Sequence, residues 1–251
     1  MHKIQSLFLF TLITFMTSVV FSQSNEKRLW MATKITVKSE QIATFENSLK
    51  EIIRLFKEND YPYEFSFFQS TGFDYYYFIK MQSLEEWDKI IAASNTIWEK
   101  IDRSIFDEYV KCIESYNRFT VLDMPEYNYS PENPRLNMED INYAIWDVHY
   151  VKAGKEENYF ENVKKWMDMA RTHNFGDPVL MLEGGIGSEM PVYFAVLYGK
   201  DDIDMKQENR KLWEAYGEEG KKMYQDFIAT LRDREMVEFW FRRDLSLTIE
   251  E

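Results

Sequence analysis

The second half of the chain repeats the first. Trp98-Glu99 is matched by Trp213-Glu214, and Phe45-Glu46-Asn47 by Phe160-Glu161-Asn162, in each case 115 positions later. A repeat of this length constrains the architecture more than any single motif does, because both copies are expected to form the same supersecondary unit. We therefore expect two equivalent units within one polypeptide.

The first 22 residues are predicted to be a signal peptide. Lys3 gives a positively charged start, residues 7–21 are largely apolar, and small residues precede Gln23. The apolar run is shorter than the roughly 20 residues that a membrane-spanning helix needs, although an uncleaved anchor is the alternative. The sequence thus predicts an exported protein, periplasmic or extracellular, with no transmembrane anchor after cleavage.

Charge and cysteine content exclude several classes of protein. The formal net charge is −13, which repels phosphate backbones and makes nucleic acid an unsuitable partner. Cys112 is the single cysteine, so no intrachain disulfide can form and packing must provide the stability. Cys112 lies in an amphipathic stretch and is expected to be a packing residue rather than a nucleophile.

The order of predicted elements is the same in both copies. Residues 28–122 have the periodicity of a strand, a helix, two strands, a helix and a closing strand, and residues 139–246 repeat this order. Residues 123–138 hold three of the six prolines and are predicted to be a linker. Each copy is therefore predicted to be a βαββαβ unit of the ferredoxin-like kind.

The strands of the first copy carry bulky side chains on both faces. One face is predicted to hold Phe65, Phe67, Tyr75 and Tyr77, and the other Phe68, Tyr76 and Phe78. Two helices cover only one face of such a sheet, so a second sheet must cover the other. The predicted fold is α+β, with two tandem ferredoxin-like units whose antiparallel sheets pack into one pseudo-symmetric barrel.

This arrangement resembles the dimeric α/β-barrel superfamily over nearly all of residues 28–246. The resemblance is carried by the element order and the repeated Phe-Glu-Asn and Trp-Glu pairs, and no catalytic signature accompanies it. The superfamily includes cofactor-free oxygenases of the antibiotic-biosynthesis type, haem enzymes such as chlorite dismutases, and NIPSNAP-like proteins. It implies, by analogy of fold, a small apolar ligand and a cofactor-free or haem-dependent oxidoreductase. A non-catalytic structural or interaction domain is the alternative function. The sequence is compatible with a monomer that contains an internal pseudo-dimer and with a homo-oligomer.

Asp147 and His149 are the predicted catalytic pair. They lie two residues apart in the first strand of copy two and therefore share a face. Copy one has Thr33 and Ile35 in their places, so the polar pair is new. A carboxylate can orient an imidazole for proton transfer, while the structural alternative is a histidine that is merely hydrogen-bonded in place.

Trp146, Glu183 and Tyr193 are predicted to contribute to a ligand pocket between the sheet and helices of copy two. Glu183 is expected where the first copy has Phe67, close enough to join Asp147 and His149. Two carboxylates and a histidine resemble the ligand set of non-haem iron. Because these residues form no contiguous motif, we predict no metal site, and haem is the candidate cofactor.

Other conspicuous residues have structural interpretations. Trp98 and Trp213 lie at helical spacing among apolar neighbours and are predicted to pack in the core. His173 is predicted at the end of a helix, where a cation is favourable. Gly217 and Gly220 are predicted to break or bend the last helix.

Overall fold

A computed structural model describes residues 28–100 and 102–248 of the chain. The predicted signal peptide, residues 1–22, lies outside the described residues. Within those residues, none of the helices combines the length and the apolar character that crossing a membrane requires.

The described residues form eight strands and five α-helices. The strands are β1 (Leu29–Val37), β2 (Phe65–Ser70), β3 (Asp74–Met81), β4 (Ile113–Asp123), β5 (Tyr143–Val151), β6 (Val179–Gly184), β7 (Val192–Gly199) and β8 (Leu231–Phe241). The helices are α1 (Ile42–Glu58), α2 (Glu86–Trp98), α3 (Arg103–Lys111), α4 (Glu156–Thr172) and α5 (Asp202–Ala229).

All eight strands belong to one closed barrel. Its order is β1-β3-β2-β8-β5-β7-β6-β4, and every neighbouring pair is antiparallel. Each half of the chain supplies four adjacent strands, and the halves join where β2 pairs with β8 and β4 with β6. The α+β class and the packing of the antiparallel sheets into a barrel are therefore confirmed.

Aromatic side chains fill the barrel interior. Trp146 lies 4.9 Å from Phe194 and 5.5 Å from Phe239 between ring centroids, and Tyr76 lies 4.7 Å from Phe239. Each of these residues is an inward-facing position of its strand. Inward and outward positions alternate along every strand, because successive side chains point to opposite faces of a sheet. The outward positions meet the helices in two separate cores, one in each half.

The register of the strands aligns the two halves. β1 shifts against β4 between Thr36 and Val37, and β5 shifts against β8 between Tyr150 and Val151. This shared irregularity aligns Val37 with Val151. The same alignment puts Thr33 and Ile35 at the positions that correspond to Asp147 and His149, the predicted catalytic pair. Asp147 and His149 are thus real departures from the symmetry.

The same register corrects the predicted equivalence of Glu183. Glu183 pairs with Tyr193 across β6 and β7, and Gln69 pairs with Tyr75 across β2 and β3. Tyr193 and Tyr75 stand opposite equivalent positions of β5 and β1. Glu183 therefore corresponds to Gln69, and the equivalence with Phe67 was wrong. The connections from β1 to β2 and from β5 to β6 are equally long, so the alignment of Val37 with Val151 extends to these strands.

The helical repeat is also displaced from the structural equivalence. Phe45 is fully buried and lies 4.9 Å from the ring of Tyr75. In the second half, the residue that is fully buried against the equivalent Tyr193, at 5.0 Å, is Tyr159 rather than Phe160. The sequence repeat of 115 positions therefore aligns the correct pair of helices, but it is displaced by one residue from the structural alignment.

Two elements differ from the predicted ones. The second helix of copy one is two helices, because Asp102 caps a new start by accepting a hydrogen bond of 2.9 Å from the backbone N–H of Ser104. The sequence pattern predicts the closing strand of copy one over residues 119–122, whereas β4 begins at Ile113, because its first half is exposed and lacks an alternating pattern. The predicted bend of the last helix is confirmed at Gly217, whose φ of 54° and ψ of −138° are not helical.

The segment that follows the last strand of each half packs on the other half. After β4, Tyr129 is buried in the second core and bridges to Val179 of β6. After β8, Leu247 is buried in the first core and bridges to Phe65 of β2. The first part of the predicted linker is therefore an integral arm of the fold.

Candidate functional site

A cavity of about 210 Å³ lies in the second half, between the outer face of the sheet and helices α4 and α5. Its walls are mainly apolar and include Val163, Trp166, Met167, Leu212, Trp213 and Phe227. Asp147, His149 and Arg234 provide its polar side from strands β5 and β8. The site is thus in the predicted region, between the sheet and helices of copy two.

The cavity exists because the second half has smaller side chains on the outer face of its sheet. In the first half, Phe65, Phe67 and Tyr77 pack against one another on this face, with ring centroids of Tyr77 at 5.2 and 5.3 Å from the two phenylalanines. By register, the corresponding residues are Val179, Met181 and Ala195, all of which line the cavity. Three aromatic rings have been exchanged for smaller groups.

Asp147 and Arg234 form a buried ion pair at the cavity. Nε and one terminal nitrogen of Arg234 donate to the two carboxylate oxygens of Asp147, both at 2.6 Å. The other terminal nitrogen donates to the hydroxyl of Tyr224 at 2.8 Å. Burial opposes ionisation of Asp147, but the adjacent His149 and the hydrogen bonds and charge of Arg234 outweigh it and lower the pKa of this carboxyl.

His149 is buried between Asp147 and Tyr159. Only 3% of it is exposed, its Nδ1 lies 2.8 Å from the hydroxyl of Tyr159, and its Nε2 lies 3.1 Å from Oδ1 of Asp147. The contact with Asp147 is close, but its angle does not give Nε2 a well-aligned hydrogen bond. Nε2 is therefore a buried polar atom with unused hydrogen-bonding capacity.

The surroundings of His149 favour one tautomer. Burial, followed by the charge of Asp147, raises the pKa of Tyr159 well above its ordinary value, so the phenol keeps its proton. That hydroxyl can donate to Nδ1, and a proton on Nε2 avoids placing a lone pair against the carboxylate of Asp147. In this state neither nitrogen offers a lone pair to the cavity, so the arrangement favours a hydrogen-bond donor over the predicted general base.

The other predicted site residues lie away from the cavity lining. Trp146 points into the barrel interior, on the opposite face of β5. Tyr193 is buried on the outer face but is stacked on Tyr159, and Glu183 lies beside it at the end of β6. Among the described residues, no group of three His, Cys, Asp or Glu side chains is arranged to hold a metal ion, so Glu183 does not complete a metal site with Asp147 and His149.

Sequence reasoning missed Arg234 and misassigned Trp213. The sequence pattern predicts the closing strand of copy two over residues 236–241, whereas β8 begins at Leu231 and so includes Arg234. Trp213 is 36% exposed and lines the cavity, whereas its sequence partner Trp98 packs against Phe56 at 5.2 Å. The prediction of core packing therefore suits Trp98 but was wrong for Trp213.

Comparison with known proteins identifies the fold. No protein-family model matches the chain, and no curated protein matches it in sequence. Similar solved structures include a "putative monooxygenase" from Lactobacillus acidophilus NCFM, with TM-score 0.53, 14% identity, and 89% of this chain and 97% of that chain covered. An anthrone oxidase-like protein has TM-score 0.57 and 13% identity, with 88% and 93% covered. A mutant chlorite dismutase from Candidatus Nitrospira defluvii has TM-score 0.55 and 10% identity, with 87% and 92% covered.

These similarities concern the fold, since the identities are low. The chain has the dimeric α/β-barrel fold, and the predicted resemblance to that superfamily is confirmed at this level. The activities in the names of the similar proteins belong to those proteins, because one fold hosts many functions.

The ion pair at the cavity gives a prediction about stability. Arg234→Met leaves the carboxylate of Asp147 buried without its cation, and we expect it to lower the free energy of unfolding by about 3 kcal/mol. Arg232→Met, two residues earlier on the same strand, removes an exposed ion pair with Glu189 and should cost less than about 1 kcal/mol. Urea denaturation measures both values, and equal losses would contradict a buried, structurally important pair.

Proposed function

We propose that the protein binds a small, mainly apolar molecule in the cavity of its second half. The observation that carries this proposal is the loss of three aromatic side chains, from positions that the first half fills with Phe65, Phe67 and Tyr77. The remaining space has apolar walls and a few convergent polar groups, which is the usual composition of a ligand site.

The energetic cost of an empty cavity favours this proposal over a purely structural domain. An apolar space that no side chain fills forfeits the burial and dispersion contacts that Phe65, Phe67 and Tyr77 make in the first half. The first half shows that the same scaffold can fill the space, so a structural role alone gives no reason to keep it open.

Filling the cavity as the first half does tests the proposal. Ala195→Tyr restores the residue found at the equivalent position, Tyr77, and should abolish binding of ethylbenzene. We would follow the ¹³C-methyl NMR signals of the methionines that line the cavity, which are Met167, Met181, Met205 and Met236. In the unmodified protein ethylbenzene should shift these signals selectively.

Ile186→Tyr is the matched control, because it adds a similar ring at a position that is 70% exposed. It should bind ethylbenzene as the unmodified protein does. Undiminished binding by a folded Ala195→Tyr variant, or unchanged methionine signals in the unmodified protein at saturating ethylbenzene, would overturn the proposed cavity site.

An oxidoreductase is the second candidate, because the similar folds include proteins named as a monooxygenase and an anthrone oxidase-like protein. Haem fits the residues of the cavity poorly. A haem iron needs an axial ligand with an available lone pair. Nδ1 of His149 accepts from Tyr159, and in the favoured tautomer Nε2 carries a proton, so neither ring nitrogen offers a lone pair to iron. The volume, about 210 Å³, is also below the usual 300–1,000 Å³ of small-molecule sites. If the protein is an oxidoreductase, the residues of the cavity therefore suit a cofactor-free reaction better than a haem-dependent one.

Titration with haemin tests the haem-dependent alternative. We expect no saturable change in the Soret absorbance at one equivalent, because the imidazole of His149 is not free to coordinate iron. A saturable, shifted Soret band that is lost in His149→Ile would establish haem binding at this site instead. His149→Ile introduces the residue of the first half, Ile35.

We further propose that the barrel consists of two ferredoxin-like units, residues 28–122 and 139–246, and that the protein is exported. The strand order β4-β1-β3-β2 recurs as β8-β5-β7-β6, which supports the two units. The composition of residues 1–22 supports export. Amino-terminal sequencing of the exported protein should give Gln23 as the first residue.

A further inference from the structure

We propose that the molecule bound in the cavity is uncharged and carries a hydrogen-bond acceptor, such as a carbonyl oxygen, that accepts from Nε2 of His149. This inference rests on the proposed function, because it specifies the chemistry of a ligand for the same cavity. It is carried by three observations: the unused donor on His149, the pairing of every charged group in the cavity wall, and the cavity volume.

The donor is the first observation. Nε2 of His149 is buried, belongs to a residue that lines the cavity and lacks a well-aligned partner. Oδ1 of Asp147 lies 3.1 Å from Nε2, but the two atoms do not form a well-aligned hydrogen bond. A buried donor without a good partner is unfavourable, and a ligand oxygen that accepts from it would remove this cost.

The charges are the second observation. Three charged residues line the cavity, and each has a partner of opposite charge. Asp147 and Arg234 bind each other at 2.6 Å, and Glu208 is paired with Lys211 at 2.6 Å. An ionic ligand would lose its hydration in this apolar site without meeting an unpaired opposite charge, so a neutral molecule is favoured.

The volume is the third observation. An apolar cavity of about 150 Å³ is large enough for benzene. The cavity here is about 210 Å³, which suits a ligand of one ring with a small substituent or an aliphatic molecule of similar size. Acetophenone, ethylbenzene, benzoate and benzylammonium have this size and differ chiefly in the polar group, so they are suitable probes.

The experiment compares the affinities of these four probes by the same methionine NMR signals. Acetophenone should bind about fivefold more tightly than ethylbenzene, which is the size of effect that one net hydrogen bond provides. Benzoate and benzylammonium should bind more weakly than either neutral probe. Equal affinities for acetophenone and ethylbenzene, or tightest binding of an ionic probe, would overturn the inference while leaving a ligand-binding cavity in place.

Two variants of His149 identify the donor. His149→Gln keeps an N–H group on a side chain of similar reach and should retain the preference for acetophenone. His149→Ile removes the donor and should make the affinities for acetophenone and ethylbenzene equal. A preference that persists in His149→Ile would assign the interaction to another group and overturn the role of Nε2.

Nitrogen NMR of ¹⁵N-histidine-labelled protein gives a test that needs no variant. His149 should show the tautomer with its proton on Nε2, and acetophenone but not ethylbenzene should shift that resonance. A proton on Nδ1, or no response to saturating acetophenone, would refute the inference. Failure of all four probes to reach the cavity methionines would instead refute the proposed function on which it rests.

Discussion

The structure depends on burying both faces of an eight-stranded sheet. Each half has apolar side chains on both faces of its sheet. Its helices cover only the outer face, so the inner face must be buried by the other half. Closure of the barrel brings Tyr76 from one half against Trp146 and Phe239 from the other. The crossed arms that end at Tyr129 and Leu247 add further burial between the halves. Because these contacts all join different halves, the barrel interior is one core shared by both halves, and each half adds an outer core of its own.

This common barrel allows the two outer faces to differ. The inner face is constrained by packing from both sheets, whereas each outer face needs only to match its own helices. In the first half, aromatic rings occupy that space. In the second half, Val179, Met181 and Ala195 leave it open, and the polar pair Asp147 and Arg234 is placed at its edge. The chemistry of the protein is therefore expected where the pseudo-symmetry fails.

The polar groups at the cavity form one connected network. Arg234 holds Asp147 through two hydrogen bonds, Asp147 lies against His149, and His149 contacts Tyr159. The imidazole lies beside the carboxylate of Asp147 without a well-aligned hydrogen bond to it, so Nε2 retains a donor with no good acceptor. In this network the charge of Asp147 is fully paired, whereas the donor on His149 is not. Such an arrangement suits recognition of a neutral hydrogen-bond acceptor better than transfer of a proton.

Periodicity and the repeat were sufficient to predict much of this molecule. The sequence pattern predicts a strand over Tyr143–Val151, which are the observed bounds of β5. Alternation along the strands predicts their inward and outward faces. Asp147 and His149 are two residues apart in a strand, so their side chains must lie on the same face. The element order predicted the barrel, since sheets with two apolar faces require a second sheet.

The tertiary structure alone decided which outer face contains a cavity and what surrounds it. Arg234 lies far from Asp147 in the chain and joins it only because β8 is the neighbour of β5, so no local pattern could reveal the pair. Trp98 and Trp213 are each preceded by an aliphatic residue and followed by a glutamate, yet one is packed in a core and the other lines the cavity. Sequence determines which faces are apolar, because side-chain direction follows from local geometry. Whether apolar groups meet each other or an empty space depends on the sizes of side chains brought together from distant strands and helices.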